Sequence, residues 1–262
     1  MPGSLVLDAE GIAIFAVVLI AGAVAGFVNT VAGGGSLLTL PALMLAGLPA
    51  PVANGTNRLA IVAQSISGTV AFHRQGMLPT KAIVPIVLPT VAGAIGGAAL
   101  ATQSPAWLLE PILIATMIGM AILMVIKPGV LPERREDEAP RSPWSPAGLA
   151  GLVLAGAYGG FVQAGVGFVL LAVLGGLLRY DAVRGNALKV VCTLVFTLPA
   201  LAIFAYAGQI RWEHAVILAI GNALGSQLGV RFAVRVPAKV LRAFVVVSVV
   251  AMGGAALLKR LF

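Results

Sequence analysis

Asn29, Thr30, Gly33, Gly34, Gly35 and Ser36 close a strongly apolar run, in the stretch Gly26–Ser36 that reads Gly-Phe-Val-Asn-Thr-Val-Ala-Gly-Gly-Gly-Ser. Two polar side chains and then three consecutive glycines do not suit a helix that faces lipid. Glycine loosens a helix, and irregular backbone is tolerated at membrane depth only where protein covers it or it lines a cavity. The stretch therefore reads as a helix break. A helix starting near Ser36 would aim its free amides and positive dipole end back at Gly33–Gly35, a way to hold an anion without a full positive charge. A weaker echo lies at Gly160–Gly167 (Gly-Phe-Val-Gln-Ala-Gly-Val-Gly), where Gln163 aligns with Asn29 and Gly165 and Gly167 loosen the backbone.

A second group is Asn54, Thr56, Asn57 and Arg58, matched later in the chain by Asn186 and Lys189. In each case a basic residue follows polar ones at the start of an apolar span. A charge at the bilayer centre costs at least about 2.5–3.5 kcal/mol on insertion scales. Two placements are open. Arg58 and Lys189 sit near opposite surfaces and snorkel outward, or they approach a shared central cavity from opposite leaflets. In the second placement the fitting ligand is an anion: arginine grips two oxygens of an oxyanion, while lysine acts as a point charge. Gln64, Ser67, Asn222, Ser226 and Gln227 are simpler to read as hydrogen-bonding neighbouring helices.

Other chemistries lack their residues. Glu110, Asp181 and Glu213 fall near segment ends, so no buried carboxylate offers a proton relay. His73 and His214 also fall near loops. No Cys/His cluster has metal-ligand spacing, and there is no phosphate-binding Gly-x-x-x-x-Gly-Lys-Ser/Thr loop. No nucleophile–base pair stands out. The single cysteine, Cys192, lies in an apolar run and excludes an intrachain disulfide. No catalytic group, metal or cofactor is expected, and an enzyme is set aside.

The elements that must position these residues are membrane helices. The 262 residues are 60% hydrophobic and 10% charged, with a mean hydropathy of +1.04; a soluble domain carries about 25% charged residues. Apolar segments occupy 11–32, 34–48, 56–72, 82–101, 107–126, 147–165, 168–178, 187–206, 215–233 and 241–258. They lack the polar–apolar alternation of a transmembrane β-strand, and those of about 18 residues or more are long enough to span as helices. The second and seventh are too short to cross, and each directly follows a glycine break. Each pair is expected to form a bent hairpin that enters the membrane and returns. Pro41, Pro85, Pro89 and Pro199 fall inside apolar segments and are expected to kink them. The net charge of +8 reflects basic loops between spans rather than a nucleic-acid surface. Asp8 and Glu10, with no Lys or Arg before the first run, argue for a retained span rather than a signal peptide.

The chain is duplicated. Gly22, Gly26, Phe27, Val28 and Gly33 match Gly156, Gly160, Phe161, Val162 and Gly167. Val52 and Arg58 match Val183 and Lys189, and Gly76, Gly93, Gly97 and Pro105 match Gly208, Gly225, Gly229 and Pro237. The offset stays near about 132 residues throughout, as internal repeats require. The copies span 1–128 and 146–262, joined by a polar linker at 129–145 rich in Glu, Arg and Pro. If each short segment returns the chain to its own side, the second copy is upside down. All Lys and Arg then fall on one face except Arg58, Arg211, Lys259 and Arg260. The positive-inside rule favours that uneven split. The expectation is an all-α integral membrane protein of two inverted repeats, each a broken-helix hairpin plus three transmembrane helices, with both termini outside and the linker in the cytoplasm.

Gly26–Ser36, the run Asn54-Gly55-Thr56-Asn57-Arg58 and the duplicated layout together resemble the sulfite exporter TauE/SafE family of bacterial membrane transporters. The resemblance implies transport of small anions such as sulfite, sulfonates and related organosulfur anions across the bacterial inner membrane. It implies a multi-pass chain whose partners are the anion and the lipid bilayer. Gly33–Gly35 and Asn57–Arg58 take the matching motif positions, with Asn186 and Lys189 as second-copy counterparts. The second copy departs in having Gly165-Val166-Gly167-Phe168 instead of a longer glycine run, which leaves equal participation of the halves open. The alternative from another class is a scaffold or anchor subunit that transports nothing. It predicts polar residues consumed in helix–helix contacts and no solvated cavity.

Overall fold

A computed structural model describes residues 9–32, 35–126 and 139–233. Gly33, Gly34, most of the polar linker and the segment expected at 241–258 lie outside the described residues. Within them the chain is helical, with no strand: α1 (Ala9–Ala32), α2 (Ser36–Leu45), α3 (Ala50–Arg74), α4 (Thr80–Gln103), α5 (Ala106–Ile126), α6 (Pro146–Phe161), α7 (Val166–Leu171), α8 (Ala182–Tyr206) and α9 (Trp212–Ala233). A π-helical stretch, Ala172–Leu177, prolongs α7. Among the described residues, α4, α8 and α9 are each long and apolar enough to cross a membrane.

The burial pattern is that of a protein solvated by lipid. Large apolar side chains point outward, with Leu100 65% and Leu154 68% exposed, while Asn54, Arg58, Gln163, Asn222 and Ser226 are fully buried. Lipid tails are as apolar as leucine, so close packing and interhelical hydrogen bonds hold such helices together.

Local sequence sets the helix ends. Ser145 caps α6, its hydroxyl accepting from the Gly148 amide at 3.2 Å, and Pro146 follows where a missing N–H costs nothing. Asp181 caps α8 by accepting from the Val183 and Arg184 amides at 3.0 and 2.9 Å. The ends of α3 and α8 repeat one another. Gly76 and Gly208 both take left-handed backbone, at φ 69° and 68°. The next amide returns to a helical carbonyl in both, Met77 to Phe72 at 3.1 Å and Gln209 to Phe204 at 3.0 Å. This is the same glycine-terminated stop, used twice.

The helices before the polar linker pack chiefly on those after it. α1 lies against α9 and α4 against α6, while α3 and α8 cross at the centre and touch α9 and α4 respectively. Residue pairs give the directions. Gly22 meets Leu218 and Gly26 meets Asn222, so α1 and α9 run parallel. Gly93 meets Val153 and Gly97 meets Ala157, so α4 and α6 also run parallel. Gly55 meets Phe204 whereas Gly68 meets Val190, so α3 and α8 run antiparallel. A Cβ added at Gly26 would sit 2.1 Å from the Asn222 carbonyl oxygen, and one at Gly97 2.1 Å from that of Ala157. Backbone cannot withdraw from such a contact as a flexible side chain can, so these crossings require glycine.

Candidate functional site

Both expected breaks are present. α1 stops at Ala32 and α2 starts at Ser36, with Gly35 as its N-cap. α6 stops at Phe161 and α7 starts at Val166 after Gly165. The second break is made by two left-handed residues, Gly165 at φ 70° and Gln163 at φ 65°. A non-glycine residue seldom adopts that backbone, and where one does the surrounding structure must hold it there. Gly167 is buried in the first turn of α7.

A helix that ends inside a membrane leaves carbonyl oxygens without partners and a partial negative charge at its C-terminus. The opposite half of the chain supplies the donors at each break. At the first, Lys189 Nζ donates to the Asn29 carbonyl at 3.0 Å and Asn186 Nδ2 to the Thr30 carbonyl at 2.9 Å. At the second, Arg58 Nη1 donates to the Gly159 carbonyl at 2.7 Å and Nη2 to the Gly160 carbonyl at 2.6 Å. Asn54 Nδ2 completes that end by donating to the Phe161 carbonyl at 2.8 Å. α3, before the polar linker, thus closes α6, and α8, after it, closes α1. Each does so with one asparagine amide and one cation.

Arg58 is the more deeply fixed of the two cations. Nη1 also donates to Gln163 Oε1, and Nη2 lies 3.4 Å from Asn54 Oδ1. Its guanidinium carbon sits 4.8 Å from the centroid of the Phe204 ring, a cation–π contact. Arg58 is 0% and Lys189 2% exposed, so neither snorkels to a surface. Among the described residues neither meets a carboxylate; an ion pair elsewhere joins Arg184 to Asp181 at the start of α8.

The remaining polar groups extend the cluster. Asn29 Nδ2 donates to Gln64 Oε1 at 2.8 Å, and Asn29 Oδ1 accepts from the Gly35 amide at 3.3 Å. The Gly35 amide is therefore not left free for a ligand. Thr30 Oγ1 donates to Ser226 Oγ at 2.7 Å, and Ser226 donates onward to the Gln64 carbonyl at 3.1 Å. Asn57 faces α2, its Oδ1 accepting from Thr39 Oγ1 at 2.7 Å. Ser36 is buried in the first turn of α2. Asn29, Thr30, Gly35, Asn186 and Lys189 thus gather at one break and Arg58, Gln163 and Gly165 at the other, with Asn57 between α3 and α2.

Thr39 and Phe204 belong to this cluster and carry no signal in the sequence. Thr39 lies one helical turn past Ser36, and Phe204 is one apolar residue among many. Gln64 and Ser226 were readable only as generic interhelical glue. Several buried polar atoms have no partner, among them Asn57 Nδ2, Arg58 Nε, Gln163 Nε2 and Asn186 Oδ1.

Comparison with known proteins finds membrane transporters. The chain is 29% identical over 239 residues to the probable membrane transporter protein ORF9 of a Sinorhizobium species, covering 91% of this chain and 90% of that one. It is 28% identical over 239 residues to a probable membrane transporter protein of Haemophilus influenzae, covering 90% and 92%. It is 28% identical over 225 residues to the probable membrane transporter protein YfcA of Escherichia coli K12, covering 85% and 82%. No solved structure matches. The model of one family of membrane transporters spans residues 18–256, nearly the whole sequence, and the chain belongs to that family, the sulfite exporter TauE/SafE family.

Proposed function

We propose that this transporter carries small oxyanions, namely sulfite, sulfonates or related organosulfur anions, across the bacterial cytoplasmic membrane. Residues 1–128 and 146–262 act as inverted repeats joined by a cytoplasmic linker at 129–145. The site lies where the two broken helices approach α3 and α8. Asn29, Thr30, Gly33–Gly35 and Ser36 line one half with Asn186 and Lys189. Arg58, Gln163, Gly165 and Gly167 line the other, with Asn57 beside α2.

One observation carries the reading. Arg58 and Lys189 are buried in a lipid-solvated fold, and among the described residues no carboxylate neutralises either. Backbone carbonyls give each a partial counter-charge only. A buried charge without a full counterion is costly, and a permeating anion supplies what is missing. The antiparallel crossing of α3 and α8, two equivalent helices, supports inversion of the copies. Most polar groups here are already bonded between helices, as an anchor subunit would also require. The unpartnered donors on Asn57, Arg58 and Gln163 are what a scaffold would not need.

The test is uptake of radiolabelled sulfite, an alkyl sulfonate and a small carboxylate into proteoliposomes, with wild type and Arg58→Ala. Transport of at least one anion by wild type, with strong loss in the variant, is the expected result. If no anion moves under any gradient, the proposal is wrong.

A further inference from the structure

The two breaks differ in what they leave unbonded. At the first, Asn29 has both side-chain polar atoms engaged and Thr30 donates to Ser226. Lys189 brings its charge, and among the described side chains bonded there Asn186 Oδ1 is a buried atom without a partner. Its identity is forced: the Thr30 carbonyl only accepts, so Asn186 must turn its amide nitrogen there and keep its oxygen free. At the second break the same logic gives the opposite polarity. A guanidinium has donors only, so Gln163 must offer Oε1 to Arg58. That leaves Nε2 as the free end, and Gln163 is fully buried with that nitrogen unpartnered. Arg58 Nε is the second buried donor without a partner.

The leftover groups at the second break are therefore both donors, on two side chains that already touch. An unmet buried donor costs free energy that an acceptor oxygen would recover. A cation has nothing to accept there and meets the charge of Arg58, whereas the oxygens of an anion meet two N–H groups and that same charge. At the first break an anion meets the charge of Lys189 but also the lone pairs of Asn186. The strained backbone of Gln163 fits this assignment, because a left-handed non-glycine residue is held where its side chain is needed.

We infer that an anion subsite is built at the α6–α7 break, where Gln163 Nε2 and Arg58 Nε donate to one oxyanion. Gln163 is the specificity-determining side chain. Arg58 serves twice: its two Nη atoms close α6 and orient the Gln163 amide, and its Nε faces the ligand. This assignment rests on the chain being an anion carrier.

The experiment is the concentration dependence of uptake in proteoliposomes for whichever of sulfite, an alkyl sulfonate or a small carboxylate the wild type moves. Gln163→Glu keeps the shape but places a carboxylate against Arg58. Gln163→Leu deletes the donor, and Gln163→Asn, the mildest change, withdraws it by one methylene. The first two are expected to raise KM about tenfold or more. The third is expected to raise it several-fold, with maximal rate per inserted protein changed less than KM. A merely structural glutamine would lower the melting temperature or the rate and leave KM alone. Unchanged KM in Gln163→Asn and in whichever of the other two inserts overturns the subsite. Failure of wild type to move any of the three anions overturns the carrier reading first, and the subsite with it.

Discussion

Lys189 closes the end of a helix 160 residues away in sequence, its Nζ donating to the Asn29 carbonyl at 3.0 Å. Arg58 returns the arrangement from the first copy to the second through the Gly159 and Gly160 carbonyls. Neither helix break can be left bare at membrane depth, because no water is present to bond its last carbonyls. Each half of the chain is therefore incomplete without the other. The cations that make a ligand site conceivable are also the cations that hold the backbone in place.

Arg58→Ala is expected to reduce stability as well as transport. It removes two charged hydrogen bonds to buried carbonyls, each worth about 1.5–3 kcal/mol. A lower melting temperature in detergent checks this. Arg58→Lys retains the charge but loses the two-pronged grip, and its stability should fall between wild type and alanine. Equal stability in all three would show that Arg58 does not hold α6.

The helix crossings predict opposite outcomes at adjacent glycines. At Gly97 a Cβ would lie 2.1 Å from the Ala157 carbonyl oxygen, whereas at Gly96 nothing lies within 4 Å. Gly97→Val is expected to separate α4 from α6 and to abolish recovery of folded protein. Gly96→Ala should be neutral, or stabilising by up to about 1 kcal/mol through helix propensity. Expression and monodispersity on size-exclusion chromatography distinguish the two.

Thr30, Ser226 and Gln64 form one hydrogen-bonded chain between α1, α9 and α3. Thr30→Val and Ser226→Ala should therefore be non-additive. The coupling energy in a double-mutant cycle is expected at about 0.6 kcal/mol, typical of bonds between membrane helices, and no more than about 1.7 kcal/mol. Strict additivity would mean that the two hydroxyls do not bond in the folded protein.

The proposed inversion of the two halves makes a prediction about which loops share a side. In a Cys192→Ser background, single cysteines at Gln75 and Ser142 should react with an impermeant maleimide only from the cytoplasm. Cysteines at Gln103 and Tyr206 should react only from outside. All four native residues are exposed at helix ends or in the linker. Labelling of Gln75 and Tyr206 positions from one side would rule out the inversion.

Hydrophobic run length and glycine placement are local properties, so the sequence alone determined the membrane class, the two breaks and the approximate span of most helices. The segment read as 187–206 becomes α8, Ala182–Tyr206, and that read as 34–48 becomes α2, Ser36–Leu45. The π-helical stretch after Leu171 had no such signal, because it follows from packing rather than composition. Buried Arg58 and Lys189 were equally readable as snorkelling or inward, since one sequence fits both depths. Only the tertiary structure chose, by crossing α3 and α8 antiparallel so that each delivers its cation to the other copy's broken helix. It also decided polarity at each break. Which end of Gln163 or Asn186 stays free depends on whether a donor or an acceptor stands opposite, and that neighbour lies more than 100 residues away in the chain.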